Sequence, residues 1–483
     1  MSLSAAAARG GAVTLMGQFA KIAIQLVGLV VLSRLLSPAD FGLIAMVTVI
    51  VSLADLVRDF GLSTAAIQAP SLNSQQRSNL FWLNTIIGVV LSIALVASAP
   101  IIGSIYGDAR LLQISYFLAL VFVLNGLQTQ FQVSLVRSFR FKEITIIEVV
   151  AQVVGLSAAI VSALMGAEYM ALVFQILCTA TVLLLLKAIA SGWLPGRYNK
   201  ATKIDSFVRY GGHLLGTQAL VYLSTNIDTF LIGRIFGANA VGQYTRAFQV
   251  LNLPMNQLLS PISNVALPTL SRVADDFARA SRYLRVLHSV TTVAFASLLG
   301  IAVGSAQPLF SIAFGRGWDQ AAELFQIVAV AGFFQAASFT TYWVFTSRAL
   351  TRVQLKSAIV GRSIMIISII AAAFVSVEMV ALAFGIGCAI SWVTSLLWCR
   401  RVTVVPFGAL VAATLSSFVF MCLIAGAGIF SMSFLAEEHE VLKLIVALTS
   451  SCAVIAVLFL LPSMRAAFQS ARKIVSATLG KGT

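Results

Sequence analysis

Charge is what this sequence has least of. Asp, Glu, Lys and Arg make up only 10% of its 483 residues, against about a quarter in soluble domains. That deficit excludes a water-facing surface over most of the chain, and it leaves no stretch that could hide a soluble catalytic domain. Histidine is scarcer still. His213, His288 and His439 lie far apart, with no metal-ligand spacing around them. The five cysteines (Cys178, Cys388, Cys399, Cys422 and Cys452) all fall in apolar segments, where they read as small buried hydrophobes rather than ligands or a disulfide framework. No Walker-type loop is present, so ATP is not expected to bind. The expectation is no metal, no cofactor and no catalytic residues. Acidic residues are outnumbered 17 to 32 by Lys and Arg. The basic residues sit at the ends of apolar runs rather than on one face interleaved with aromatics, which argues against a nucleic-acid partner.

What fills the chain instead is apolar. Hydrophobic residues make up 59% and the mean hydropathy is +0.96. Ser78–Gly107, Leu111–Val136, Val286–Gly315, Leu324–Ser347, Met379–Cys399 and Leu444–Met464 contain no charged residue at all. Each is long enough to cross a bilayer, which takes about 20 apolar residues. The pattern predicts an all-α integral membrane protein with fourteen spans, near 11–35, 40–58, 79–103, 111–136, 144–165, 169–190, 207–235, 240–266, 284–312, 321–346, 355–376, 379–399, 406–431 and 443–463. The first apolar stretch is long, carries Gln18, Lys21 and Gln25, and lacks a cleavage site, so it reads as a span and not as a signal peptide.

With the N-terminus placed in the cytoplasm, 25 of the 32 basic residues fall on the inner side, as the positive-inside rule requires. Both termini are then cytoplasmic, and membrane lipid is the surrounding partner. The segment 267–283, with Arg272, Asp275, Asp276, Arg279 and Arg282, resembles an amphipathic helix lying on the inner membrane surface.

The chain also repeats itself. Ser33-Arg34-Leu35-Leu36-Ser37-Pro38-Ala39-Asp40-Phe41-Gly42 matches Gly233-Arg234-Ile235-Phe236-Gly237-Ala238-Asn239-Ala240-Val241-Gly242 in its Arg, its final Gly and its apolar pattern, at an offset of 200 residues. Gln18 and Gln218 share that offset. Six spans separate the copies, so the halves run the same way through the membrane. This predicts a parallel repeat of two six-helix lobes, residues 1–191 and 207–402, joined by a cytoplasmic linker at 192–206. Two further helices and a tail follow in 403–483. Transporters built from repeats place the substrate between the halves.

The segment Leu32–Gly42 resembles the opening motif of bacterial polysaccharide transporters. The run from Asn226-Ile227-Asp228 through Gly242-Gln243-Tyr244 to Leu267-Pro268-Thr269-Leu270-Ser271-Arg272 is similar to their second-half motif. These are the Wzx-type flippases of lipid-linked oligosaccharides, in the superfamily that also holds MATE drug exporters and the lipid II flippase. The resemblance covers the whole chain and leans toward colanic acid and succinoglycan exporters. It implies a central cavity opening to alternate faces and an inner-membrane location. It also implies a substrate of undecaprenyl-diphosphate-linked oligosaccharide units for exopolysaccharide or O-antigen synthesis, with the polysaccharide polymerase machinery as a partner.

Charged residues within spans cost about 2.5–3.5 kcal/mol each on insertion scales, so each requires a reason. Thr14, Gln18, Lys21 and Gln25 share one face of the first span, and Thr245, Gln249, Asn252, Asn256 and Ser260 share one face of the eighth, with Arg246 beside its outer end. Lys21 and Arg246 are candidates to bind the diphosphate or acidic sugars, and Gln18, Gln25, Gln249, Asn252 and Asn256 to bind the glycan. The bland alternatives are an ion pair of Lys21 with Asp55, Glu148 or Asp228, and hydrogen bonds between helices. Pro254 and Pro261 predict a bend in the eighth span. The seventh offers His213, Thr217, Ser224 and Asp228. Asp55, Arg58 and Asp59 read as an inner gate, Glu148 as a partner of Lys21 or a coupling site, and Asp228 as a coupling site or an ion-pair partner. Arg34 and Arg234 read as loop caps at the outer ends. The rival reading is a MATE-like ion-coupled antiporter of small cations, which should line its cavity with carboxylates; a membrane-embedded enzyme of the same lipid-linked sugars would need a sizeable outer loop.

Overall fold

The structure is a computed structural model that describes residues 3–59, 61–202, 204–273, 276–435, 439–458 and 460; along 3–15, 205–221 and at 223 it describes the backbone alone. The described residues form helices and no strands: α1 (Leu3–Leu35), α2 (Pro38–Asp59), α3 (Leu62–Gln68), α4 (Ser74–Tyr106), α5 (Arg110–Arg137), α6 (Phe141–Leu164), α7 (Met170–Ser191), α8 (Asp205–Arg272), α9 (Phe277–Gly304), α10 (Ala306–Phe314), α11 (Asp319–Ser347), α12 (Thr351–Ala372), α13 (Val377–Val402), α14 (Phe407–Met432) and α15 (Glu440–Leu458). An all-helical answer is what an apolar solvent demands, because only a helix satisfies its own backbone hydrogen bonds. Among the described residues, twelve helices are long and apolar enough to cross a membrane. The other two expected spans, 207–235 and 240–266, fall along α8, which is not one of the twelve.

Local sequence sets the helix ends. Asn73 and Gln76 form a capping box at the start of α4, and Gly107 closes its end in the left-handed region at φ 72°. Asp276 and Ser376 accept from Arg279 N and Met379 N to begin α9 and α13. Several expectations change here. The segment 267–283 is not a separate surface helix: α8 runs on to Arg272, and the Asp276 cap starts α9 four residues later. The single span expected at 284–312 divides at Ser305 into α9 and α10. The break in α8 falls at Gly237 (φ 82°, ψ −176°), a conformation open to glycine, in the turn expected between 207–235 and 240–266; Pro254, Pro261 and Pro268 lie inside the helix beyond it. Not every cysteine is buried either. Cys422 and Cys452 are exposed, which costs little where the surrounding solvent is itself apolar.

Gly237 stands 200 residues after Ser37, which links α1 to α2. The two copies of the repeat therefore make the same turn by different chemistry. In the first, Asp40 Oδ2 accepts from Ser37 N and Ser37 Oγ at 2.9 and 2.7 Å; in the second, glycine alone reverses the chain. The copies also pack on each other reciprocally. A β-carbon on Gly42 would overlap the carbonyl of Ala238, and one on Gly242 would overlap the carbonyl of Pro38. Arg34 and Arg234 are both exposed, each after two buried residues.

By packing, the chain divides into two compact units, Met1–Gly242 and Gln243–Thr483. The first takes in the opening arm of α8, where Tyr222 Oη donates to Val49 O at 2.9 Å and Phe230 packs edge-on against Tyr106. The segment after α7 is strapped onto the start of α4. Asn79, fully buried, donates to Asn199 O and Thr202 O at 2.7 and 3.0 Å and accepts from Asn199 N at 2.9 Å. Trp82 Nε1 donates to Gly196 O, and the Arg77 guanidinium lies 4.0 Å over the Trp193 ring. In the second unit, buried His288 joins three helices: Nδ1 meets Thr340 Oγ1 at 2.7 Å, and Nε2 meets Thr414 Oγ1 at 2.8 Å and Leu410 O at 3.1 Å. Around Trp343 and Trp392, apolar side chains from α8, α9, α11, α13 and α14 close a core.

Two expected outcomes follow from this packing. Gly42→Ala lowers the thermal midpoint of the detergent-solubilised protein by an overpacking cost of about 1–3 kcal/mol, whereas Gly426→Ala, with nothing within 4 Å of the added carbon, does not. Asn79→Ala leaves backbone groups of the strap unpaired, and limited trypsin then cuts after Arg197 or Lys200 severalfold faster than in the parent, read by gel.

Candidate functional site

Charged and amide side chains of the first unit form a linked set on α2, α5 and α7, together with pairs at Lys21–Glu148 and Asp59–Ser63. Lys21 Nζ lies 2.6 Å from Glu148 Oε2, joining α1 to α6, with both side chains partly exposed (21% and 32%). Arg58 Nε pairs with Asp55 Oδ1 at 2.6 Å one turn back on α2. The planar fork of Arg58 reaches further: Nη1 donates to Asn125 O at 3.2 Å and to Thr129 Oγ1 at 2.8 Å on α5. Asn125 Nδ2 donates to Asp55 Oδ1 at 3.3 Å, and Gln128 Nε2 donates to Asn125 Oδ1 at 2.7 Å. Gln128 Oε1 in turn accepts from Lys187 Nζ of α7 at 3.4 Å. Asp59 accepts from Ser63 on α3.

Sequence reasoning points to Lys21, Asp55, Arg58, Asp59 and Glu148 but not to their partners beyond Lys21–Glu148. Lys187 lies near the end of α7 and is buried. Asn125, Gln128 and Thr129 were missed. Their signal was present in the otherwise apolar run Leu111–Val136, where Asn125, Gln128, Thr129, Gln130 and Gln132 crowd into eight positions.

The second unit holds the other candidates. Arg246 is buried, donates through Nη1 to Gln249 Oε1, and lies 5.7 Å from the Trp318 ring centroid, within range of a cation–π contact. The stripe that follows is open. Gln249, Asn252, Asn256 and Ser260 are all exposed, while Leu251, Met255 and Leu259 between them are buried. On α1, Gln18 and Gln25 are exposed on either side of Lys21, and Thr14 lies outside the described side chains. Asp228 is buried, with Oδ1 accepting from Thr229 N at 2.7 Å; His213 and Thr217 fall among the side chains not described. Among the described residues no group of three or more His, Cys, Asp or Glu is placed to hold a metal ion.

Chemically, this provides two different surfaces. The first unit carries paired charges, some of them joined through amides. The second carries a row of neutral amides and hydroxyls that offers both donors and acceptors, with a guanidinium behind it.

The family described as polysaccharide biosynthesis protein matches residues 31–323. The lipopolysaccharide biosynthesis protein WzxC of Escherichia coli (strain K12) is 28% identical over 314 residues, covering 64% of each chain. The succinoglycan biosynthesis transport protein ExoT of Rhizobium meliloti (strain 1021) is 23% identical over 311 residues, covering 64% of this chain and 62% of that one. The matches span under two thirds of the length of these relatives. A structure of the lipid II flippase MurJ in an inward closed conformation superposes with a TM-score of 0.69 at 12% identity, covering 92% of this chain and 98% of that one. At that identity the likeness establishes the fold.

Arg58 is the most connected member of the network, so its loss is expected to be costly. Removing one partner of a buried ion pair costs about 3–5 kcal/mol, an upper bound here because Asp55 is 34% exposed. Arg58→Ala is expected to lower the thermal midpoint clearly, and Arg58→Lys to recover only part of the loss, because a single ammonium cannot replace the fork. Full recovery in the lysine variant would show that charge alone matters.

Proposed function

Because the chain belongs to the polysaccharide biosynthesis protein family, we propose that it is a flippase of lipid-diphosphate-linked oligosaccharide repeat units in a bacterial inner membrane. The proposal includes undecaprenyl diphosphate as the carrier, two parallel six-helix lobes (1–191 and 207–402) with 403–483 appended, and both termini in the cytoplasm. The polymerase machinery that consumes the units is the implied partner.

The observation that carries this reading is the exposed polar row on α8. A helix facing lipid would not present Gln249, Asn252, Asn256 and Ser260 on one open side, because unsatisfied polar groups in hydrocarbon are expensive. Amides and hydroxyls in such a row match the hydroxyls of a sugar. The Arg246 fork suits a phosphate, and Lys21 with its flanking amides adds a second cationic position. Alternating access would expose these groups to each side in turn, while the polyprenyl chain stays in lipid. A small-cation antiporter is disfavoured by the α8 row, which is neutral and offers no carboxylate to a cation. Asp228 and Glu148 remain the candidates for ion coupling, Asp55 with Arg58 and Asp59 for the inner gate, and Arg34 with Arg234 for capping the outer turns.

Reconstituted in liposomes with an undecaprenyl-diphosphate-linked oligosaccharide, the protein is expected to move the lipid between leaflets, with and without an imposed proton or sodium gradient distinguishing coupled from uncoupled transport. Arg246→Ala and Lys21→Ala should each reduce the initial rate about tenfold or more, the scale of losing a charge-assisted hydrogen bond, while inserting normally. Normal rates in both variants would sink the cationic sites; efflux of organic cations without lipid movement would favour the antiporter. Reporter fusions at each end test the orientation.

A further inference from the structure

Glu148 stands between two lysines and pairs with one of them. On one side, Gly17 meets Thr145 and Gly28 meets Leu156, so α1 and α6 run parallel at a constant offset of 128 residues. That register brings Lys21 beside Glu148, and the two glycine contacts bracket the pair along about 16 Å of helix. With the backbones held this closely at both points, the pair can open only by side-chain rotation. On the other side, Gly155 meets Thr179. Antiparallel packing of α6 on α7 therefore pairs residues whose numbers sum to 334, and two turns further along it sets Glu148 opposite position 186. Lys187 is the neighbouring residue. It is buried, and its ammonium donates to a neutral amide at the long distance of 3.4 Å.

We propose that Lys21, Glu148 and Lys187 form a two-lysine anion site that the protein's own carboxylate occupies between substrates, and that the diphosphate of the carrier lipid takes Lys21 while Glu148 turns to Lys187. The proposal rests on the flippase reading for its ligand. Exposure gives the direction of the exchange. Lys21 and Glu148 are partly open, so an anion approaches from their side, whereas Lys187 is closed off and available only to a group already inside. Lys187 has only the Gln128 amide before the exchange and a carboxylate after it, while Lys21 keeps an anionic partner throughout, which limits the cost of the exchange in a medium of low dielectric. The exchange also reports inward. Drawing Lys187 off Gln128 frees the amide that holds Asn125, and Asn125 contacts both Asp55 and Arg58 on α2. Glu148 is thus a positioning residue that sets the anion affinity of Lys21 and links its occupation to α2 and α5.

The full chain in lipid nanodiscs is titrated with undecaprenyl diphosphate and, separately, with inorganic pyrophosphate, while flipping is measured in liposomes. Glu148→Gln removes the competing carboxylate and should tighten binding about fivefold, the scale of a partly exposed ion pair, yet slow flipping. Lys187→Gln leaves Glu148 no second partner and should weaken binding. The double variant Glu148→Gln with Lys187→Gln should return to the tight binding of Glu148→Gln, a rescue that a merely structural role would not produce. Adding Lys21→Ala to Glu148→Gln should abolish the gain. If Glu148→Gln does not fold, Glu148→Asp, whose shorter side chain reaches Lys21 less well, should give a smaller gain. A parent that flips the lipid with unchanged or weaker binding in Glu148→Gln overturns the exchange and leaves the function standing. A parent that neither binds nor flips the lipid overturns the function; the pyrophosphate titration then decides the anion site, with tightening in Glu148→Gln supporting it and no change overturning it.

Discussion

A bilayer core contains no water to solvate a polar group, and the arrangement of this protein is governed by that scarcity of partners. Each backbone must close its own hydrogen bonds, which makes every spanning element a helix. Each polar side chain must find a companion on a neighbouring helix, and those companionships select which helices meet. Lys21 ties α1 to α6, Arg58 ties α2 to α5, and His288 ties α9 to α11 and α14. The same pressure acts on the strap after α7, whose carbonyls are taken up by Asn79 and Trp82 where α4 begins.

Close packing without a hydrophobic driving force between helices needs small residues at the contacts. Gly42 and Gly242 supply them where the two copies of the repeat meet, each seated on the carbonyl that occupies the equivalent position in the other. The turn that precedes each contact is made once by a Ser–Asp hydrogen-bond pair and once by a left-handed glycine.

The two units divide the chemical work differently. In the first, Arg58, Asp55 and Lys187 are joined through a chain of amides, and Lys21 pairs with Glu148. In the second, the open row on α8 presents neutral groups near a buried guanidinium, the surface on which the proposed glycan binding rests. Membership of the polysaccharide biosynthesis protein family and a fold shared with the lipid II flippase structure fit that division.

The all-helical class and the approximate limits of most long apolar helices were legible in the amino-acid sequence, because apolar length is a property of the linear chain; twelve of the described helices are long and apolar enough to span, where fourteen were expected. So were Lys21 and the α8 row, since a polar residue inside an apolar run is conspicuous wherever it folds. Tertiary structure alone decided that Lys21 meets Glu148 across 127 residues, that Lys187 belongs to the interior, and that Gln128 and Asn125 connect Lys187 with Asp55 and Arg58. It also decided that 267–283 is the end of one helix and the start of another. Hydropathy reports how a residue partitions between water and lipid. Which residue becomes its partner depends on the rotation and register of packed helices, and those are set by contacts between segments far apart in the chain.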